Sequence, residues 1–541
     1  MAVMGATERG DPWDTLHDWS APTEHWGTTN VRENLPGVAT PLTWSVWRRS
    51  SENSTRAAAY AIGAFSRAER QIPTDPDQYF SRIFYGRYAL QFEYLTTLGD
   101  RMPGTSGQDI AAGLLGRVPE DIVYGPTRRR YPVIAWKLPL LQLTIPRQVR
   151  RAVAETESWY YRRLDQVPAL DRDAAIATLV EGADHFLQMA ELQTIAVIAV
   201  IQTLYESVQK LVDRYGIGDV GTLSGSGGAE VTGLVGDLWK ASRGQIPLEQ
   251  VVRAHGFHGP LEGELSGRVW REDPSPLERM LDEYAARDDS QDPFGLEEQQ
   301  QRKREELTRE LVAAAPAPQR PIVRFTLKLA AQRIPLRGAA KRSMLEGLDI
   351  ARASARRAGQ LLEKEGRLDD PDDVFYLTLE ELSGPWPADA KELVKLRRQR
   401  RAEYQQLELP PDWTGMPEPI PLAELDEGRP DVISGIGVSV GVVEGMARVV
   451  EDPDIAEIEP DEILVAPTTN PSWSSIMFVS SGLVVDIGGA LSHAAVVARE
   501  LGLPCVVNTQ TGSRVIKTGD RLRVDGKEGT VEILERAGAP S

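Results

Sequence analysis

The sequence is poor in cysteine and histidine and lacks a long apolar run: its 541 residues include one cysteine, Cys505, and six histidines. One cysteine excludes an internal disulfide and any multi-cysteine metal site. The longest apolar run, residues 195–201, is far shorter than the roughly 20 residues that span a bilayer. Residues 1–9 have neither the basic start nor the apolar core of a signal peptide. We therefore expect a cytoplasmic protein, with Cys505 packed in a buried strand.

Positive charge is also in short supply, since 61 Lys and Arg against 79 Asp and Glu give a net charge of -18. Such a surface repels nucleic-acid phosphates and anionic lipid, so we expect neither a nucleic-acid nor a membrane partner. A Walker P-loop sequence is absent too. The 41% hydrophobic and 26% charged residues are ordinary for a globular protein long enough for more than one domain.

The pattern of the chain changes near residue 408. Before it, long amphipathic stretches predict a mainly α-helical domain. A proline-rich segment follows, and short Val- and Ile-rich runs separated by glycines then predict a small α/β domain. The predicted organisation is a helical domain at 1–408, a linker at 409–431 and an α/β domain at 432–541.

One histidine, His493, stands where a glycine turn meets a new helix. The run before it predicts a buried strand, Gly488 and Gly489 allow a tight turn, and Ser492 can cap the helix. A helix N-terminus favours an anion and keeps a nearby imidazole neutral. A neutral ring can accept a phosphoryl group. From these residues alone, two roles for His493 stay open: it either carries a phosphate or serves as a polar cap of the helix.

The region from about 435 to 534 resembles the swivelling phosphohistidine domain of the phosphoenolpyruvate-utilising enzymes. The matching blocks are residues 441–450, 463–473, 488–504 and 518–526. The resemblance implies that His493 carries a phosphoryl group between two active sites. We expect the residues around this phosphate to be Gly488, Gly489, Ser492, Thr468, Thr469 and Ser472. Arg499 either pairs with the phosphate or holds the helix, and Asn470 stands where relatives often have aspartate.

The helical region resembles, more loosely, the acceptor-binding domain of the rifampin phosphotransferase group. The matching blocks are residues 26–43, 85–88, 101–104 and 370–377. Fused members add an ATP-grasp module or a pyruvate barrel, and we expect neither in this chain because its 541 residues are taken up by the two domains described. The arrangement is similar to the large subunit of phenylphosphate synthase. The resemblance therefore implies a separate ATP-grasp partner that holds ATP and Mg²⁺, with no cofactor bound tightly by this chain.

The densest polar cluster of the helical region lies at residues 255–274. Phosphoryl transfer to a hydroxyl needs a group that accepts the proton and cations that balance the phosphoryl oxygens. His258 or Glu262 can supply the first, and Arg268 or Arg271 the second. The alternative is a structural loop beside a solvated face. Arg87, among aromatic residues, is a further candidate for binding substrate or phosphate, and we expect no metal site.

The function predicted from the sequence is phosphotransfer through His493 to a hydroxyl of a small organic molecule, with an aromatic or hydrophobic acceptor in keeping with the 12 tryptophans. Two alternatives stay open. A dehydratase would phosphorylate a hydroxyl and then eliminate the phosphate. A regulatory subunit would hold a stable phosphohistidine and have no acceptor.

Overall fold

The chain folds into two compact units in the computed structural model. The residues described are 11–28, 31–115, 118–218, 220–224, 228–286, 288–289, 292–422, 430–451, 458–459, 461–469, 473–489 and 492–537. The first unit contains Met1–Ala199, Gly263–Ser266 and Ala340–Leu425. The second contains Val200–Glu262, Gly267–Ala339 and Asp426–Ser541.

Helices dominate the chain up to about residue 405, as predicted, and further helices follow in the C-terminal part. They are α1 (Pro41–Ile62), α2 (Phe92–Arg101), α3 (Gly107–Leu115), α4 (Tyr131–Gln166), α5 (Arg172–Ala196), α6 (Gln202–Tyr215), α7 (Val220–Ser224), α8 (Gly228–Ser242), α9 (Leu248–His255), α10 (Ser275–Ala285), α11 (Pro293–Ala314), α12 (Arg320–Arg333), α13 (Leu336–Lys364), α14 (Leu379–Ser383), α15 (Ala390–Gln405), α16 (Ser474–Val479), α17 (His493–Leu501) and α18 (Gly512–Val515).

Strands are concentrated toward the C-terminus. They are β1 (His25–Gly27), β2 (Ser81–Phe84), β3 (Arg87–Gln91), β4 (Leu407–Glu408), β5 (Asp412–Thr414), β6 (Ile420–Pro421), β7 (Val432–Ser434), β8 (Ile436–Ser439), β9 (Val442–Val449), β10 (Ile463–Ala466), β11 (Gly482–Val485), β12 (Cys505–Val507), β13 (Arg521–Asp525) and β14 (Thr530–Glu535).

The small sheet of the first unit was not predicted from the sequence. It has the strand order β2-β3-β1-β5 in the described residues, and β5 lies within the proline-rich segment. Trp413 of β5 pairs with Trp26 of β1 and is 9% exposed. This part of the segment at 409–431 is therefore built into the first unit. The domain boundaries at 1–408, 409–431 and 432–541 stay predictions.

The C-terminal part of the second unit is the predicted α/β fold. Its described strands form a sheet in the order β7-β14-β13-β9-β10-β11-β12-β8. The central pairs from β9 to β12 are parallel. Strands β10, β11 and β12 are fully buried, because apolar clusters cover both faces of the sheet. Cys505 lies in β12 as predicted, and burial raises the pKa of its thiol.

A short loop, Gly263–Ser266, docks into the first unit through Glu264. This carboxylate is 2% exposed and accepts hydrogen bonds from both hydroxyls and one backbone N–H of the Thr40–Thr43 turn. It also accepts two from Ser266. A buried carboxylate is tolerated only when such donors replace its hydration. Glu264 therefore fastens this loop to the start of α1.

One helical stretch, Arg172–Tyr215, is long and apolar enough to cross a membrane by length and composition. It comprises α5, a π-helical turn at Val197–Ile201 and α6. In its most apolar 18-residue window, 33% is buried. Core helices of soluble proteins share this composition, so it does not by itself indicate a membrane protein. The cytoplasmic location and the absence of a membrane partner stay predictions.

His25 of β1 joins three segments of the first unit. Its Nδ1 contacts Glu93 of α2, and its Nε2 lies 2.7 Å from Asp121 Oδ2. Burial lowers the pKa of His25, but the hydrogen bonds to Asp121 and Glu93 outweigh it and the pKa is raised. The charged imidazolium therefore holds the segment around Asp121 to β1 and α2.

We expect the first unit to lose stability as the pH rises through the raised pKa of His25. A group whose pKa is raised by folding contributes stability that is fully present below its unfolded value of 6.5 and lost above its folded value. Urea unfolding at about pH 6 and about pH 9 measures this loss. His25→Gln should flatten the dependence, and an unchanged dependence in this variant would contradict the assignment.

Candidate functional site

His493 is the first residue of α17 and follows a sharp turn after β11. Gly488 has φ +154°, and a Cβ there would lie 2.9 Å from Ser492 Oγ. The side chain of Ser492 caps the helix by accepting the N–H of Ala495 at 3.3 Å. The predicted turn, cap and helix are therefore confirmed, and His493 stands where the helix dipole is positive.

The ring of His493 contacts a hydroxyl from the neighbouring loop. Strands β10 and β11 are parallel neighbours, so the loops after their carboxyl ends meet at one edge of the sheet. Thr469, from the loop after β10, is 4% exposed, and its Oγ1 lies 3.3 Å from Nδ1 of His493. When Nδ1 carries the proton and donates it to Thr469, the lone pair stays on Nε2. In that tautomer Nε2 is the nucleophilic atom.

Thr468 offers a second hydroxyl on the same loop. Its Oγ1 is buried and has no hydrogen-bond partner among the described residues. Such a hydroxyl can bind an oxygen of an incoming phosphate. Asn470 and Ser472, which the sequence placed beside it, lie outside the described residues.

Asp486, directly after β11, was not predicted from the sequence as part of the site. Its side chain is 5% exposed and accepts hydrogen bonds from Thr509 Oγ1 at 2.8 Å and from Ser513 N at 3.0 Å. It thereby ties the turn before His493 to the segment after β12. The signal in the sequence was an aspartate at the end of a buried strand.

Arg499 performs the second of its two predicted roles. Its Nε donates to the carbonyl oxygen of Val438 at 2.7 Å, so the side chain holds β8 against α17. A role for Arg499 in binding phosphate stays a prediction.

The predicted acceptor cluster contains a buried histidine–carboxylate pair. His258 Nδ1 lies 2.5 Å from Glu262 Oε1, and these residues are 2% and 7% exposed. The imidazole packs against Phe257 and Trp270, with ring centroids 4.2 and 5.7 Å away. Nearby, Nε2 of His255 forms a hydrogen bond with Asp237. This hydrogen bond and the neighbouring Lys240 lower the pKa of the Asp237 carboxyl, although partial burial opposes the shift. The proton-accepting role of His258 and Glu262 stays a prediction.

The arginines predicted for the acceptor site lie in different parts of the chain. Arg268 is exposed and Arg271 half-buried, both in the second unit. Arg87, in the first unit, is 6% exposed and donates to the carbonyl oxygens of Tyr85, Tyr404 and Leu407. Those backbone contacts give Arg87 a structural role. Among the described residues, no group of three or more His, Cys, Asp or Glu side chains is suited to a metal ion.

Family comparisons match the two parts of the second unit. Residues 458–529, which include His493 and Thr469, match the PEP-utilising enzyme mobile domain. Residues 240–338, which include the predicted acceptor cluster, match the rifampicin phosphotransferase fourth domain.

Similar curated proteins are much longer than this chain. An uncharacterised protein of Mycobacterium tuberculosis is 32% identical over 288 residues, covering 52% of this chain and 30% of that protein. A rifampicin phosphotransferase of Streptomyces sviceus is 40% identical over 176 residues, covering 32% and 20%. The prodigiosin synthesizing transferase PigC of Serratia marcescens is 32% identical over 294 residues, covering 52% and 32%. The match spans about a third or less of each relative. Over residues 458–529 the chain is thus similar to the mobile domain of the PEP-utilising enzymes, and over residues 240–338 it is similar to the fourth domain of the rifampicin phosphotransferases.

Proposed function

We propose that this chain is a phosphotransferase subunit in which His493 takes a phosphoryl group from an ATP-derived donor and passes it to a hydroxyl of a small organic molecule. The observation that carries the proposal is the position of His493 at the start of α17 with Nδ1 against Thr469. The match of residues 458–529 to the mobile domain supports it.

The transfer consists of two displacements at phosphorus. In the first, the lone pair of Nε2 attacks the phosphoryl group of the donor, and the bond to the leaving oxygen breaks. The backbone N–H groups at the start of α17 and the Thr468 hydroxyl stabilise the transferred oxygens. In the second, a hydroxyl of the acceptor loses its proton to a base, its oxygen bonds to phosphorus, and the P–N bond returns its electron pair to Nε2.

We place the nucleotide on a separate ATP-grasp subunit, with Mg²⁺ at that donor site. The resemblance of the chain to the large subunit of phenylphosphate synthase supports this assignment. Magnesium would neutralise the charge that develops on the nucleotide phosphates.

Intact-mass spectrometry under alkaline conditions, which preserve P–N bonds, tests the proposal. The protein is incubated with ATP, Mg²⁺ and an extract of its source cells, and we expect a gain of one phosphate that acid removes. Loss of this phosphate on adding small hydroxyl compounds supports transfer. A phosphate that stays on the protein in every case would support the regulatory alternative, and no gain would contradict phosphotransfer.

Thr469→Val is expected to slow phosphorylation of His493 by roughly three- to tenfold, the effect of losing one positioning hydrogen bond. Without the hydroxyl, a larger share of the rings carries the proton on Nε2 and is not nucleophilic. The rate of phosphate uptake from phosphoramidate, a small donor that needs no partner protein, measures this effect. Thr469→Ser keeps the hydroxyl and should restore the rate, whereas equal rates in both variants would contradict the role of Thr469.

A further inference from the structure

An apolar stripe lies exposed along the first turns of α4 in the first unit. Its members recur three or four positions apart, on one face of the helix, and all are exposed: Pro132, Ala135, Trp136, Pro139, Leu140 and Leu143. Trp136, Leu140 and Leu143 are 60%, 51% and 64% exposed. At the rise of an α-helix the stripe is about 17 Å long. Large apolar side chains grouped on one exposed face indicate a surface that binds a partner.

The opposite face of α4 is anchored in the first unit, and this packing determines which side chains face outward. Ile134 and Ile145 are buried. Lys137 Nζ donates a hydrogen bond to the carbonyl oxygen of Tyr60 in α1 at 2.9 Å. The ammonium group also lies 4.2 Å from the centre of the Tyr60 ring. The helix therefore cannot turn about its axis to bury the apolar stripe without losing these contacts.

Positive charge surrounds the apolar stripe. Residues 122–154 include seven Lys and Arg and no Asp or Glu, although the net charge of the whole chain is -18. Two exposed arginines, Arg128 and Arg129, lie just before α4. Beyond the other end of the stripe, the same helix face continues with three exposed arginines: Arg147, Arg150 and Arg151. A basic amphipathic helix face is typical of binding to a membrane surface or to an acidic protein.

The charge at both ends argues against a second copy of this chain as the partner. If two copies packed the apolar stripe along its length, their α4 helices would run parallel or antiparallel. In either arrangement the arginines of one copy meet arginines of the other, because both ends of the stripe are cationic. Such contacts between like charges are unfavourable. The partner of this face is therefore anionic.

The shape of the face favours a lipid bilayer over an acidic protein. The apolar stripe is a convex ridge on one helix, so a protein partner needs a matching groove with carboxylates at both ends. A bilayer needs no preformed groove, because its headgroup region admits the apolar face of a helix. Trp136 lies within the stripe, and tryptophan is enriched at membrane–water interfaces. Arginine side chains beside it are long enough to reach lipid phosphates.

We propose that the apolar stripe of α4 and the arginines at its ends bind the first unit to the surface of a membrane that contains anionic lipid. In the bound state α4 lies in the plane of the membrane, with Trp136, Leu140 and Leu143 at the boundary between headgroups and acyl chains. The charge of the whole chain predicts no membrane partner. Because salt screens charges beyond about 10 Å, the local charge of this face decides instead. The inference is independent of the proposed phosphotransfer.

Binding to lipid vesicles tests the inference with the full chain. Vesicles of phosphatidylcholine with about a third phosphatidylglycerol are compared with vesicles of phosphatidylcholine alone, by co-sedimentation. We expect binding to the anionic vesicles to be at least about tenfold tighter, and salt at about 0.5 M to weaken it. Equal binding to both kinds of vesicle would contradict the role of the arginines.

Leu143→Ser removes one apolar side chain from the stripe. We expect it to weaken binding to the anionic vesicles by about three- to tenfold, because less apolar surface enters the membrane. Leu396→Ser is the matched control, since Leu396 is 43% exposed on α15 and lies outside the stripe. It should bind as wild type does, and equal binding by the two variants would contradict the inference.

A combined variant with Arg128→Gln, Arg129→Gln and Arg147→Gln removes charge from both ends of the stripe. We expect it to bind the anionic vesicles at least about tenfold more weakly than wild type. In the matched control, which has the same net charge, glutamine replaces three exposed cations of α11: Arg302, Lys303 and Arg309. The control should bind within about threefold of wild type. Equal losses in both variants would show that net charge, and not this face, controls binding.

A fluorescent label reports whether the apolar stripe itself enters the membrane. Cys505 is buried, so a cysteine placed on the surface can be labelled selectively. A nitrobenzoxadiazole label on Leu143→Cys should shift its emission to shorter wavelength on the anionic vesicles. Ser158→Cys is the control, since this exposed position lies about 22 Å further along α4. Its label should show no shift.

Circular dichroism verifies that each variant is folded. No binding of wild type to the anionic vesicles would overturn the inference and leave an acidic protein as the partner. Equal emission shifts at positions 143 and 158 would overturn it too. A wild-type dimer in analytical ultracentrifugation that Leu143→Ser dissociates would assign the stripe to a second copy instead.

Discussion

His493→Ala is expected to abolish phosphate uptake, with a fall of about a hundredfold or more, because it removes the nucleophile itself. Phosphoramidate, as the donor, tests the carrier without the partner subunit. Wild type should gain one phosphate, located by peptide mapping at His493. The other five histidines should react less because none of them begins a helix whose backbone N–H groups can hold the transferred phosphate: they are His17, His25, His185, His255 and His258.

A second histidine variant serves as the control for this result. His17→Asn replaces a histidine whose Nδ1 accepts the backbone N–H of Tyr85 at 3.2 Å, a bond that the asparagine oxygen can also accept. We expect this variant to gain phosphate as wild type does. Uptake by His493→Ala at the wild-type rate, or mapping of the phosphate to another histidine, would refute the carrier assignment.

Glu264→Ala is expected to lower the free energy of unfolding by about 3–5 kcal/mol, since it deprives a buried cluster of its shared acceptor. The Thr40 backbone N–H, at 3.0 Å, and the Ser266 backbone N–H, also at 3.0 Å, cannot turn to new partners as hydroxyls can. The loop also docks tightly, because a Cβ at Gly263 would lie 1.9 Å from the carbonyl oxygen of Asn34. Water therefore cannot readily take the place of the carboxylate.

Urea unfolding followed by circular dichroism measures this loss. Glu155→Ala is the matched control, because that carboxylate is 64% exposed and pairs with Arg151 one turn away on α4. Its removal should cost less than about 0.5 kcal/mol. Similar losses in the two variants would show that Glu264 does not fasten the loop.

The features that could be predicted from the sequence depend on neighbouring residues. Ser492 caps the helix that His493 begins because a side-chain oxygen can reach an N–H three residues on. The Val-rich runs predicted buried strands, and Cys505 lies in one of them. The turn, cap and helix around His493 could therefore be predicted from one continuous stretch of chain.

Side-chain environments set by distant segments could not be predicted. The sequence predicted that Arg87 binds substrate or phosphate. In the structure it donates hydrogen bonds to the carbonyl oxygens of Tyr404 and Leu407, which lie 317 and 320 positions away in the sequence. The sheet of β2, β3, β1 and β5 was not predicted, because its strands are too short to show a clear alternation of apolar and polar residues.

Local composition thus determined the turn, the helix and the place of His493 at its start, because each depends on the backbone preferences of a few consecutive residues. Tertiary structure alone decided which groups contact the histidine rings. Thr469 reaches His493 from a different strand, and Thr156 reaches His185 from a different helix. Which ring nitrogen holds a lone pair depends on the partner of the other nitrogen, and only the packing of distant segments supplies that partner.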